Sequence, residues 1–386
     1  MKLLRIAVAG FRNLPRVTLD VDAPLVAFVG DNGQGKTNWL EAVGVLGTLR
    51  SFRTPRAAEL VGWGAARAEV EGVVSAEGMV RTLSWSFGEG ARTVRRDDRP
   101  VDAVTWLSSF RATYFVPGDI APVRGEPALR RALLDRAVLA IRPSYLAVAR
   151  DYKRALDHKS ALLRGGRASD AELDVFDAQL APLGALVTAT RAEVVAAMGE
   201  AFERAYGAFA GAEVARVVYE PWLGEGDEAT LASRYAERLA RQRPGERQAG
   251  RVLGGPQRDD LGFTVADRSA RAFASQGQAR SVVLAWKLAE LEAARAVGEA
   301  PLFLLDDLGS ELDPGRTARL VGLLGSLGVQ IFLTTTDARY VPRDTVAGEV
   351  RVFHVAAGMA SRAGDTPPDA ASDAAPDSAS DAAPDA

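Results

Sequence analysis

The 386-residue chain has no cysteine and only two histidines, His158 and His354. These absences exclude a disulfide framework and any thiolate zinc or iron–sulfur site, and leave almost no means for a histidine-built metal centre. Any metal is to be held by oxygen ligands. Long apolar runs are missing too. Nothing approaches the roughly 18 consecutive apolar residues of a membrane span, and the start, Met1-Lys2-Leu3-Leu4-Arg5, lacks the apolar stretch of a secretion signal. A cytoplasmic protein without membrane contact is expected. Lysine is scarce: Lys2, Lys36, Lys153, Lys159 and Lys287 are the only five among 47 basic residues, the other 42 being arginine. A lysine in a special place is therefore informative. A strong net charge is also absent, since 50 acidic residues leave −3, and composition alone does not announce a nucleic-acid binder.

What is there is 47% hydrophobic, enough for a sizeable core in one large domain or two smaller ones. The charge is unevenly placed. From Asp365 onward only Asp, Thr, Pro, Ala and Ser occur, with six aspartates and no base, so residues 1–364 carry +3. Without large apolar side chains such a tail cannot offset its ordering entropy, and disorder is expected over 363–386.

Residues 1–118 read as short strands with one early helix. Leu25–Val29 is a compact apolar run feeding a glycine loop, Trp39–Val43 suits a helix, and Ala68–Val73, Val80–Phe87 and Ala91–Arg95 read as a hairpin meander. Over 119–249 the period changes. Leu173, Phe176, Leu180, Leu183, Val187, Thr190, Val194, Ala197 and Ala201 step by three and four, the period of a coiled-coil seam. Ser169 and Glu172 form a capping box at its start, so two antiparallel helices joined at Gly165-Gly166 are expected, with a kink or break at Pro182. The seam either packs the two arms together or offers a partner groove. Strand and helix alternate again over 250–362, with Ser281–Arg295 as a helix and Leu302–Leu305 and Gln330–Thr335 as strands. The fold class is α/β, a parallel sheet interrupted by a helical arm.

Gly30-Asp31-Asn32-Gly33-Gln34-Gly35-Lys36-Thr37 matches G-x-x-x-x-G-K-[ST] between a strand and a helix. Its backbone N–H groups and helix start would cradle the ATP phosphates, Lys36 would reach the β and γ oxygens, and the Thr37 hydroxyl would ligate Mg²⁺. The apolar strand Leu302–Leu305 then delivers Asp306 to the sheet edge as the second Mg²⁺ ligand, and Asp307 could orient or deprotonate the attacking water. Ser275-Gln276-Gly277-Gln278 opens the helix before that strand. It offers a hydroxyl, free N–H groups and a dipole to a phosphate, a simple helix cap being the alternative.

In this order the motifs resemble ABC-type ATPase heads: Walker A at 30–37, a signature at 275–278, Walker B ending at Asp306-Asp307 and a D-loop at Ser310-Glu311-Leu312-Asp313. The P-loop-to-signature interval, Thr37 to Ser275, is longer than in transporter subunits and far shorter than in SMC proteins. Together with Gly10-Phe11-Arg12-Asn13, Asn38, Glu41-Ala42, Ser51-Phe52-Arg53, Arg130-Arg131, Leu134-Asp135, Gly255-Pro256-Gln257-Arg258 and Asp260-Leu261, it resembles the RecF family of bacterial recombination mediators. Two positions depart from the family pattern: Pro117-Gly118-Asp119 stands for Pro-Glu-Asp, and Gln257 for His.

The resemblance implies an ABC-type P-loop head with an inserted helical arm, and it adds Arg12, Asn13, Asn38 and Thr335 to the nucleotide-binding set. It implies ATP sandwiched between two protomers, with Lys36, Thr37 and Asp306 of one facing Ser275, Gly277 and Gln278 of the other. It further implies an ATP-driven homodimer that clamps double-stranded DNA near gaps, a weak DNA-stimulated ATPase, and cooperation with RecR and RecO in loading RecA. Candidate DNA-contacting groups are Arg50, Arg53 and Arg56, and the run Arg234, Arg238, Arg241, Arg243, Arg247 and Arg251, each with a solvated surface as the plain reading. A nucleotide-switched scaffold with little hydrolysis and no DNA role is the competing function.

Overall fold

The apolar runs assemble into three sheets in the computed structural model, which describes residues 1–210, 213–307 and 313–362. The tail, and Ser310, Glu311 and Leu312 of the D-loop, lie outside those residues. The chain enters through β1 (Lys2–Ala9), β2 (Val17–Asp20) and β3 (Leu25–Val29), turns into α1 (Lys36–Thr48), and forms the meander β4 (Arg67–Ala76), β5 (Met79–Gly88), β6 (Ala91–Arg96) and β7 (Arg99–Pro100). α2 (Ala103–Ser109) and β8 (Ala112–Phe115) follow. α2 is a second early helix where one was expected; its start is marked by Asp102, which accepts from Thr105 N–H at 2.7 Å.

The middle comprises α3 (Ala121–Arg124), α4 (Pro127–Ile141), α5 (Tyr145–Gly165), α6 (Asp170–Ala210), β9 (Ala215–Glu220) and α7 (Glu228–Ala249). The last part contains β10 (Asp260–Val265), β11 (Arg268–Ser269), α8 (Ala270–Phe273), α9 (Gln276–Val297), β12 (Leu302–Leu305), α10 (Pro314–Ser326), β13 (Ile331–Thr335), β14 (Val350–Ala356) and β15 (Met359–Arg362).

Two six-stranded sheets frame the head. One is antiparallel, in the order β2-β1-β4-β5-β6-β7; the other runs β15-β14-β3-β13-β12-β8 and is parallel except for β15. Every residue of β3, β12 and β13 is buried, as a strand covered on both faces must be. Alternation along β3 sends Val26 and Phe28 to the core under α1, and Leu25, Ala27 and Val29 to the core shared with α4, α9 and the arm. Phe28 stacks between Trp39 and Phe353, 5.7 Å from each. α1 crosses β8 so closely that a Cβ on Gly47 would fall 2.3 Å from that of Ala112, which demands glycine there.

The expected hairpin of α5 and α6 forms around Gly166, and the Ser169 capping box is present, with Ser169 N–H donating to Glu172 at 2.8 Å. Pro182 does not break α6, which continues as one 41-residue helix. The proline lies on the exposed side, so the carbonyl it leaves unpaired faces water while packing on the other side holds the helix. By length and composition α6 could cross a membrane, but more than half of its most apolar stretch is buried within the protein. It packs on α5, α7 and α9, and β9 pairs with β10, so the helical insertion and the returning sheet half share one core.

Candidate nucleotide site

The P-loop leaves the carboxyl edge of β3. Gly30, Gly33 and Gly35 have φ of 157°, 81° and 106°, and a Cβ on Gly35 would lie 2.9 Å from Asn13 Oδ1. No side chain caps α1, so its first N–H groups stay available to an anion. Asp31, Asn32 and Gly33 form the exposed crest of the loop. The Lys36 ammonium donates to the carbonyls of Gly30 and Asp31, 2.7 Å each. Burial pulls its pKa down, against the attraction of Asp307, Asp306 and Asp31. Gln34 is held by the turn between β14 and β15: its side-chain oxygen accepts from Ala357 N–H, and its carbonyl from Gly358 N–H, both at 2.7 Å.

β12 brings Asp306 to the same edge. Thr37 Oγ1 donates to Asp306 Oδ1 at 2.9 Å, and Thr334 Oγ1 to the same oxygen at 2.7 Å. Burial pushes the Asp306 pKa up, partly countered by these hydroxyls. A hydroxyl and a carboxylate in contact suit Mg²⁺, which keeps waters and phosphate oxygens in its shell. Among the described residues no group of three or more acidic or histidine side chains forms a cage of its own, so the donor set fits a cation bound together with a nucleotide. Asp307 follows with φ of 50°, its N–H donating to Thr334 Oγ1 at 2.7 Å. The Thr335 hydroxyl points to the Asp337 carbonyl at 3.4 Å, and its own carbonyl accepts from Gly30 N–H. Thr334, one residue earlier, is the hydroxyl on the acidic pair, a distinction that three consecutive threonines conceal in the sequence.

Beside the loop, Arg12 grips Glu41 of α1 through two hydrogen bonds of 3.0 and 2.9 Å, and Asn13 accepts from the Asn38 amide at 2.7 Å. Glu41 is fully buried and also receives Ser51 Oγ and Arg53. An acid inside the apolar stretch Trp39–Val43 is the sequence signal for this anchor. Arg53, expected as a DNA contact, is bound here, donating to Asn38 Oδ1 at 2.7 Å. Arg50 and Arg56 are exposed.

Ser275 caps α9, and the helix cap of the plain reading exists in full: Ser275 Oγ accepts from Gln278 N–H, while Gln278 Oε1 accepts from Ser275 N–H at 2.8 Å. The Gln278 amide also donates to Glu213 at 3.0 Å. Ser275 is exposed, Gly277 and Gln278 half-buried, and among the described residues no hydrogen bond or ion pair joins them to the P-loop.

The arm arginines mostly bind within the chain. Arg234 donates to Leu223 O and Glu225 O, Arg238 lies 4.7 Å over the Trp222 ring, Arg243 meets Asp174 and Asp177, and Arg247 meets Asp170. Gln257 accepts from Tyr152 OH and donates to Gly254 O in a buried knot of the arm, away from the P-loop. The motif residues Arg130 and Asp260 form a two-bond ion pair, 2.7 Å each, that ties α4 to β10.

The chain matches the family model described as the RecF/RecN/SMC N terminal domain over residues 2–360. It is 40% identical to the DNA replication and repair protein RecF of Myxococcus xanthus, covering 96% of this chain and all of that one. It is likewise 40% identical to the RecF of Anaeromyxobacter sp. strain Fw109-5, with 94% and 99% covered. A solved structure of the recombination mediator protein RecF with ATP superposes with a TM-score of 0.84 at 27% identity, over 94% of this chain and 99% of that one. An Smc head bound to part of ScpA shares the fold at a TM-score of 0.55 and 15% identity. With its ABC-type head and this near-complete match, the chain belongs to the RecF family.

Proposed function

We propose that this chain is an ATP-dependent DNA-binding clamp of recombinational repair, in which ATP joins two protomers on double-stranded DNA near gaps and slow hydrolysis releases them. The observation that carries this reading is the division of the site. Thr37 and Asp306 touch within one protomer, while Ser275, exposed, and Gly277 and Gln278, half-buried, stand at a helix start and, among the described residues, make no hydrogen bond to that P-loop. A second copy supplies the missing half. Lys36 exchanges its two carbonyl partners for phosphate oxygens, and the N–H groups of α1 and α9 take the phosphate from opposite sides. Thr37 and Asp306 would hold Mg²⁺, which would supply neutralisation of the developing phosphate charge, and Asp307 orients the attacking water. Arg12, Asn13, Asn38, Gly30 and Gly35 shape the rest of the nucleotide bed, and Thr335 secures the loop through its backbone.

DNA is held by its phosphates through exposed arginines of the +3 body, Arg50 and Arg56 among them. The RecF structure named for the RecFOR pathway supports RecR, with RecO, as the protein partner, and RecA loading is the outcome that the resemblance to the family implies. The competing reading, a switched scaffold with little hydrolysis, draws on the short Asp307 arm at the water position. Light scattering with ATP and Mg²⁺, with and without gapped duplex DNA, decides between them. The clamp forms an ATP-dependent dimer that DNA stabilises, and Ser275→Arg abolishes the dimer while leaving monomer ATP binding. A dimer indifferent to DNA favours the scaffold, and no dimer refutes both.

A further inference from the structure

Thr334 is 1% exposed and lies on β13, between β3 and β12. Its hydroxyl has one proton to give. The Asp307 N–H donates to it at 2.7 Å, so the proton goes to Asp306 Oδ1, also at 2.7 Å. One hydroxyl therefore touches both acidic residues at the strand end, through the side chain of the first and the backbone of the second. Among the described residues, Asp306 is otherwise hydrogen-bonded through its N–H to Phe115 O at 3.0 Å and by the Thr37 hydroxyl of the P-loop, a loop that must accommodate the nucleotide. Thr334 belongs to the sheet and not to that loop. Asp307 adopts φ of 50°, a left-handed conformation rare for a residue with a side chain, and its bond to Thr334 secures that turn of the backbone.

We propose that Thr334 is a positioning residue: its single hydroxyl sets Asp306 for the divalent cation and aims the Asp307 carboxylate at the water position. The proposal rests on the nucleotide-site reading above. Replacing the hydroxyl by a methyl in Thr334→Val keeps the shape but leaves the Asp307 N–H without its acceptor and Asp306 without one donor, whereas Thr334→Ser keeps both bonds. Removing such an outer partner of a metal ligand costs on the order of 10–100-fold in metal affinity or activity.

The test measures the affinity of the full chain for ATPγS by calorimetry, in EDTA and across a Mg²⁺ titration, and then kcat for ATP. Thr334→Val is expected to bind ATPγS in EDTA as the parent does, to need at least about tenfold more Mg²⁺ for the full gain in affinity, and to lose a comparable factor in kcat; Thr334→Ser should restore both. Thr334→Ala gives the same reading should the valine variant misfold. A parent-like Mg²⁺ requirement in both Thr334→Val and Thr334→Ala overturns the proposal, as does a serine variant no better than valine. Asp306→Asn separates the two levels of inference. If it raises the Mg²⁺ requirement while the Thr334 variants do not, only the positioning role fails; if it too leaves the requirement unchanged, the metal assignment fails and takes this proposal with it.

Discussion

The edge of the parallel sheet and the interior of the arm both bury charge, but their partners differ. At the sheet edge Lys36 rests on two carbonyls of its own loop, and Asp306 on two hydroxyls. In the arm, Lys159 sits fully buried between Asp177 at 2.5 Å and Glu246 at 2.7 Å, and Arg191 lies between Asp135 and Asp259. A cation on neutral acceptors can exchange them for an anion. A cation locked between carboxylates cannot, because leaving exposes two uncompensated charges. Buried charge thus marks a binding site only where its partners are replaceable, and the arm's ion pairs read as architecture.

Lys36→Ala puts the largest strain on this comparison. Nucleotide binding should be lost with the fold intact, seen as no heat with ATPγS and unchanged far-UV dichroism; parent-like affinity would remove the P-loop from its assigned role. Next comes Lys159→Met, which leaves Glu246 buried without its cation and Asp177 with Arg243 alone, and should destabilise the protein by about 3–5 kcal/mol in urea unfolding. A neutral effect would mean that the arm's pairs are as exchangeable as those of the P-loop. Smaller still, Arg243→Ala should reduce stability by no more than about 1 kcal/mol and leave the salt dependence of DNA binding unchanged. Arg50→Ala should lower that slope by about one unit, so a drop with Arg243→Ala would return the arm helix to the DNA surface.

The smallest effect is set by pH. Burial alone would raise the Asp260 pKa, but its bonds from Arg130 hold it below the ordinary value. A carboxylate with a lowered folded pKa stabilises above its unfolded pKa, about 3.9, and loses that contribution as pH falls through the folded value. The Tm difference between parent and Asp260→Asn should accordingly be full at neutral pH and close below about pH 4. A gap constant with pH would mean that packing, not charge, ties α4 to β10.

The same contrast governs what could be read beforehand. The nucleotide edge is legible because its chemistry is local: eight contiguous residues make the loop, and Leu302–Leu305 starts and stops where β12 does. The meander and the α5–α6 hairpin follow from period and caps. Residues whose role depends on a remote partner are not legible. Glu41 becomes an anchor only when Arg12 and Arg53 converge on it, and Thr334 differs from Thr335 only through the strand's facing. The run from Arg234 to Arg251 displays its charge but not its acceptors, which lie on α6 and the loop at 222–225. Pro182 was expected to kink or break α6, and packing on neighbouring helices keeps it from breaking.

The turn at Ala357-Gly358 adds a temporal dimension to the P-loop. Ala357 meets Gln34 across 323 positions of chain, and the Gly358 carbonyl accepts from Trp39 Nε1. A ribosome makes the glycine loop more than three hundred residues before its brace. During synthesis the emerging loop therefore lacks these contacts until β14 and β15 have docked.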